Sequence, residues 1–184
     1  MNAQPINVSA DDARKIAAGD KINLRRINVG RMQTIVPGML LWVREPFYLP
    51  ERFDGRAPLQ ASSADPRLDV RFVAHWTNRP TGYGAARAGR TLPKLFSRLV
   101  LRVALVEEQR LQDIDDAGAR REGFGNRALF AKDWDRAQRN GFAKSGITAW
   151  RNNPSVTVLT FTAEHANIVA SAEDATAARS HAAA

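Results

Sequence analysis

The chain has 184 residues, no cysteine and a formal net charge of +8. Its length suits one domain with a tail and a core that needs no staples, and the missing cysteines exclude a disulfide framework, a thiolate metal site and a cysteine nucleophile. No apolar run approaches the ~18 residues of a membrane span, and MNAQPINVSADDARK lacks a charged-then-apolar leader pattern, so a soluble, cytoplasmic protein with no membrane partner is expected.

In chain order, Ser9 to Ala18 is predicted as a helix. Ser9 is its N-cap, Asp11 and Asp12 suit the positive end of the helix dipole, Gly19 stops it, and Ala13, Ile16 and Ala17 form its apolar face. Residues 21–27, KINLRRI, predict a short strand. Pro37-Gly38 turns the chain into MLLWVREPF, a buried strand that Pro46 ends. Residues 49–67 read as a loop, Val70 to His75 as a strand, and 77–91, TNRPTGYGAARAGRT, as a flexible basic loop. The alternation of Leu99, Leu101, Val103 and Leu105 is the clearest strand. Asp115 caps a short helix that runs to Glu122 and closes at Gly123. Residues 126–140 predict a second helix, with Phe130, Trp134 and Ala137 on one face. Val156, Val158 and Phe161 belong to a last strand. The domain is set at 1–163, with an insertion over 49–92. The alanine-rich tail, 164–184, is expected to be disordered. Helix, strands, a helical insertion and a final strand favour α+β over a doubly wound sheet.

The charge is uneven. Arg67, Arg71, Arg79, Arg87, Arg90, Lys94, Arg98 and Arg102 face Asp69 alone across 67–102, a net +7, while 164–184 carries −2. A field of that sign attracts phosphate. A genome that uses arginine freely gives many cations, but codon bias does not by itself gather them in one segment. A polyanion partner is therefore expected.

Several side chains are candidates for binding it. Lys21, Arg25 and Arg26 suit a phosphate clamp; the alternative is a solvated edge strand. Successive strand residues point to opposite faces, so parity from Lys21 favours Arg25 as its neighbour and gives Arg26 an outer contact. Arg44 and Glu45 leave two readings open. They form a buried ion pair, or Glu45 accepts from a base edge or orients Lys21 while Arg44 meets a phosphate. Trp42 reads as core. Glu122 at a helix C-terminus opposes the dipole, which a cation such as Lys21 would explain; the alternative is a surface pair with Arg120 or Arg121. With a pKa raised by burial it could act as a general base. Arg90, Lys94, Ser97 and Arg98, interleaved with Phe72, Trp76, Tyr83 and Phe96, read as a nucleic-acid surface. Phe72 and Phe96 suit the core, and Trp76 and Tyr83 suit stacking. His75 reads as structural, Ser97 has no histidine beside it for a triad, and no metal or cofactor is expected.

Four stretches together resemble a known family. AAGDKINLRR, VPGMLLWVREPF, LPKLFSRLVLRVALVEEQRLQDIDDAGARREG and TAWRNNPSVTVLTF are similar, in order, to segments of ASCH-domain proteins, over roughly residues 13 to 162. The chain most resembles the short, phage- or prophage-type members. The resemblance implies a PUA-like fold, a small mixed β-barrel with flanking helices, and RNA or modified-base recognition. Some small members are amidohydrolases that deacetylate acetylcytidine. Their catalytic lysine falls on Lys21 and their glutamate on Glu122, whereas their threonine falls on Leu24, which has no hydroxyl. The expected function is thus binding of RNA, single-stranded DNA or a modified nucleoside, in a pocket walled by Lys21, Arg25, Arg44, Glu45 and Glu122. Amidohydrolysis of an acylated nucleoside is the rival. A phage-encoded protein that covers a host partner is a third possibility.

Overall fold

A computed structural model describes residues 3–65, 67–139 and 147–168. Strand β1 spans Ala3–Asn7, helix α1 Ala10–Ala18 and strand β2 Asn23–Ile27. Ser9 Oγ accepts from the Asp12 amide at 3.0 Å and so starts α1. Strand β3 spans Leu40–Arg44, β4 Phe47–Tyr48, helix α2 Pro58–Ala64 and strand β5 Arg71–Phe72. Strand β6 spans Val100–Arg110, helix α3 Asp116–Arg121, helix α4 Arg127–Arg139 and strand β7 Ser155–Glu164. Asp115 caps α3 by accepting from the Gly118 amide at 2.6 Å. Among the described residues no helix is long and apolar enough to cross a membrane.

The protein is α+β with a five-stranded mixed sheet in the order β1-β3-β6-β7-β2. The chain divides into two compact units. The first comprises the described parts of 1–17, 40–101 and 163–184; the second comprises those of 18–39 and 102–162.

In the first unit β1 runs parallel to β3, with Ala3 opposite Leu40 and Asn7 opposite Arg44. The Val43 amide donates to Leu99 O at 3.0 Å, next to the start of β6. Leu40, Trp42, Val100 and Ile168 form one core cluster. Phe47, Leu49, Phe53, Ala61 and Leu92 form a second, with Leu68, Val70, Phe72 and Phe96 against it. Much of this second core comes from the stretch that reads as loop in the sequence. Its apolar residues are spaced too irregularly to show a period, yet they converge in space. Strand pairing near Val70 to His75 is confined to β5, which pairs antiparallel with β4; Val73–His75 forms a 3-10 turn. The 77–91 stretch is held rather than loose. Phe47 bridges to Arg87 and Pro50 to Tyr83, and the Arg87 guanidinium donates to the carbonyls of Phe53 (2.8 Å) and Arg56 (2.6 Å). At Gly89 a Cβ would lie 2.8 Å from Arg44 O, so only glycine allows this approach to β3. Beyond β7 the chain stays packed as far as Ile168, which is fully buried, and Asn167 Nδ2 donates to Leu95 O and Ser97 O at 2.6 and 2.9 Å. The rest of the tail lies outside the described residues.

In the second unit β2 runs antiparallel to β7, with Arg25 opposite Val158, and β7 lies between β2 and β6. Helices α3 and α4 cover a core of Leu111, Ile114, Ala119, Phe130, Trp134, Val156 and Val158, with Ile27, Phe124 and Trp150 against it. Two backbone bonds fix the approach to β2. The Ile22 amide donates to Arg121 O at 2.9 Å, and the Phe161 amide donates to Ile22 O at 3.0 Å. Residue 21 is thereby held beside the end of α3.

Candidate functional site

The second unit buries an ionic cluster. Lys21, Arg25 and Glu122 are 3%, 4% and 1% exposed. Lys21 Nζ donates to Glu122 Oε2 at 2.7 Å and to Glu122 O at 3.0 Å. Arg25 Nη1 donates to the other carboxylate oxygen at 3.0 Å, and Arg25 Nη2 lies 3.4 Å from Gln109 Oε1. One carboxylate thus faces two cations from positions 21 and 25, which share a parity on the segment leading into β2. Removal from water costs each ion several kcal/mol, roughly, and close pairing offsets that cost. Glu122 sits at the C-cap of α3. There the lysine on both its carbonyl and its carboxylate answers the unfavourable dipole. Arg26 turns away; its Nη1 donates to Arg25 O at 2.9 Å.

The surroundings of the cluster are aromatic. Lys21 Nζ lies 5.8 Å from the Phe124 ring centre, and Arg25 Cζ lies 6.0 Å from that of Phe130. These two rings meet edge to face at 5.6 Å. Gly118 brings α3 against Arg25: a Cβ there would lie in van der Waals contact with Arg25 Nη2, at 3.4 Å. Asn23, on the same face of β2 as Arg25, is 3% exposed. Its Oδ1 and Arg25 Nε are buried without a hydrogen-bond partner among the described residues. Leu24, between them, is fully buried. It belongs to the core and offers no hydroxyl. Asn23, Gln109, Phe124 and Phe130 join the cluster through the fold rather than through any motif in the sequence. Asn23 alone carried a sequence signal, two positions from Lys21 on a strand.

The other candidates lie in the first unit. Glu45 is paired, but with Arg98 rather than Arg44. Arg98 Nε and Nη2 donate to its two oxygens, each at 2.8 Å, and Arg98 lies 4.5 Å over the Phe72 ring. This fork uses both oxygens of a carboxylate that is 1% exposed. Arg44 stacks on Trp42 at 4.5 Å. Ser97 is buried, and its Oγ accepts from the Ile168 amide at 3.3 Å, a structural contact. Trp76 is 38% exposed. Arg71 lies 5.1 Å from the Trp76 ring and 4.9 Å from the Tyr83 ring, and Asp69 accepts from both Arg71 Nε and Tyr83 Oη. Burial and the Asp69 bond push the Tyr83 phenol up, and the same bond, with Arg71, holds Asp69 down. One face of each ring is thus already occupied by Arg71.

Not all the charge of 67–102 is available to a partner. Arg71, Arg87 and Arg98 are committed to the contacts above. Arg79, Arg90 and Lys94 are exposed, and their side chains make no ion pair or hydrogen bond among the described residues. Comparison with protein-family models, with curated proteins and with solved structures finds no match.

Proposed function

We propose that this chain is a nucleic-acid-binding protein of the ASCH type, with a PUA-like barrel, that holds a nucleotide or modified base at the Lys21–Arg25–Glu122 cluster. The observation that carries this reading is the buried cluster itself. Two cations, a carboxylate, a neutral amide and two aromatic rings meet at one place, where a fold alone would prefer apolar packing. The unpartnered Asn23 Oδ1 and Arg25 Nε support it as well: one accepts and the other donates, which are the two requirements of a base edge. Arg79, Arg90 and Lys94 add the long-range attraction. The test is binding of a fluorescent single-stranded RNA over a range of salt. If those three cations each meet a phosphate, log Kobs falls against log salt with a slope of about −2. Replacing all three by glutamine flattens the slope. Absence of binding at low salt would sink the reading.

One observation favours a second reading. The 2.7 Å contact between Lys21 and Glu122 joins the base and acid of an amidohydrolase. Incubation with acetylcytidine would then release cytidine and acetate, with water consumed, and Lys21→Ala would abolish release. Leu24 tips the choice toward binding.

A further inference from the structure

Three segments of the first unit meet near the C-terminal half of α1. Arg14 Nε donates to Ala74 O at 2.9 Å, and the His165 ring nitrogen Nε2 lies 3.1 Å from Ala17 O. Arg14 and Ala17 both belong to the C-terminal half of α1, and Arg14 and His165 both lie near enough to His75 to act on its charge. His75 follows Ala74 and is exposed. Arg98 Nη1 meets His75 Nε2 at 2.7 Å.

The partners fix the tautomers. A guanidinium only donates, so His75 Nε2 accepts and its proton sits on Nδ1. A carbonyl only accepts, so His165 Nε2 carries the proton and Nδ1 gains one on ionisation. Neither Nδ1 has a partner among the described residues. Arg14, His75, Arg98 and His165 therefore bring basic groups from four segments to one surface. The nearby carboxylates are already engaged. Glu45 is taken by Arg98, and Asp11 pairs with Arg14 at 3.2 Å and with Lys15 at 2.9 Å.

We propose that Arg14, His75 and His165 form a phosphate-binding site on the first unit, with Glu45 and Arg98 as the positioning pair that sets the His75 ring. Donors from separate directions suit the several oxygens of a phosphate better than a planar carboxylate, which one arginine fork satisfies. The phosphate is that of a nucleic-acid strand or of a free monoester. The site is distinct in its residues from the Lys21–Glu122 cluster and stands if that reading fails.

The charge balance gives the site a pH dependence. Burial holds the His75 pKa below the ordinary imidazole value; Arg98, His165 and Arg14 act in the same direction, and Glu45 against. A bound phosphate supplies the missing anion. Binding therefore tightens as pH falls, and bound phosphate moves the His75 titration to higher pH.

Imidazole proton NMR on the full chain tests this. The chain has three histidines, and single His→Gln variants assign their signals. Inorganic phosphate, a 5′-phosphorylated oligonucleotide and the same oligonucleotide without the terminal phosphate are added in turn. An upward shift of the His75 titration, with a change in the His165 signals, with all three supports the site and points to a strand phosphate. Shifts with only the first two support the site and point to a monoester. Arg14→Gln, an exposed change, removes the shifts. No shift with any probe, or shifts unaltered in Arg14→Gln, would overturn the proposal.

Discussion

Lys21 and Arg25 both face the Glu122 carboxylate. Removing one partner of a buried ionic group costs about 3–5 kcal/mol. Glu122→Gln is expected to lose roughly that much stability in urea unfolding. The opposite sign is expected at Asn23. An unpartnered buried polar atom costs about 1–3 kcal/mol, so Asn23→Leu raises stability by up to that amount while weakening RNA binding. A merely structural asparagine would instead lose stability and leave binding intact. His75 sets a pH dependence of folding. Its pKa is lowered in the folded state, so between that value and the ordinary one the unfolded chain holds more protons. Stability therefore rises with pH through that window and falls on acidification. His75→Gln flattens this part of the profile of melting temperature against pH. At this scale strand parity in the sequence separates Arg25, which meets Glu122, from Arg26, which meets backbone. The partner of Glu45 is not legible in the sequence. That partner, Arg98, lies 53 residues away, and no local pattern joins the two.

Helix α3 carries its constraints at three points: Asp115 at the N-cap, Gly118 against Arg25, and Glu122 at the C-cap. Alanine usually improves a helix interior over glycine by about 1 kcal/mol. Here its Cβ would lie 3.1 Å from Asp115 Oδ1 and from Ile114 Cγ1. Asp115 is tied to the Gly118 amide and cannot yield without loosening the cap. Gly118→Ala is expected to lower the melting temperature and weaken RNA binding; a stabilised variant would contradict the packing argument. Elements with local signals were legible. Ser9 and Asp115 announced α1 and α3, and alternation announced β6. Strand β1, AQPIN, carries a proline and no alternation, and exists through its pairing with β3. The 49–92 stretch was opaque because its order is tertiary. It rests on Arg87 reaching two carbonyls, on Gly89 against β3, and on apolar residues with no period.

For the whole molecule, the 27 lysines and arginines overstate the cations that a partner would find free. Many arginines serve the fold: Arg87 on carbonyls, Arg98 on Glu45, Arg25 on Glu122. A salt slope near −2, set by Arg79, Arg90 and Lys94, would fit this division of labour. A much steeper slope would mean that arginines now paired internally are released on binding.

Strand β2 has a further consequence, for the order of events during synthesis. It leaves the ribosome well before its partner β7 and its carboxylate Glu122, which lie more than 90 residues downstream. At common translation rates that interval is on the order of 10 s. Until it ends, the nascent chain presents Lys21 and Arg25 without their native anion, and β2 waits with an unsatisfied edge. Lys21 and Arg25 are therefore enclosed only after β7 has emerged.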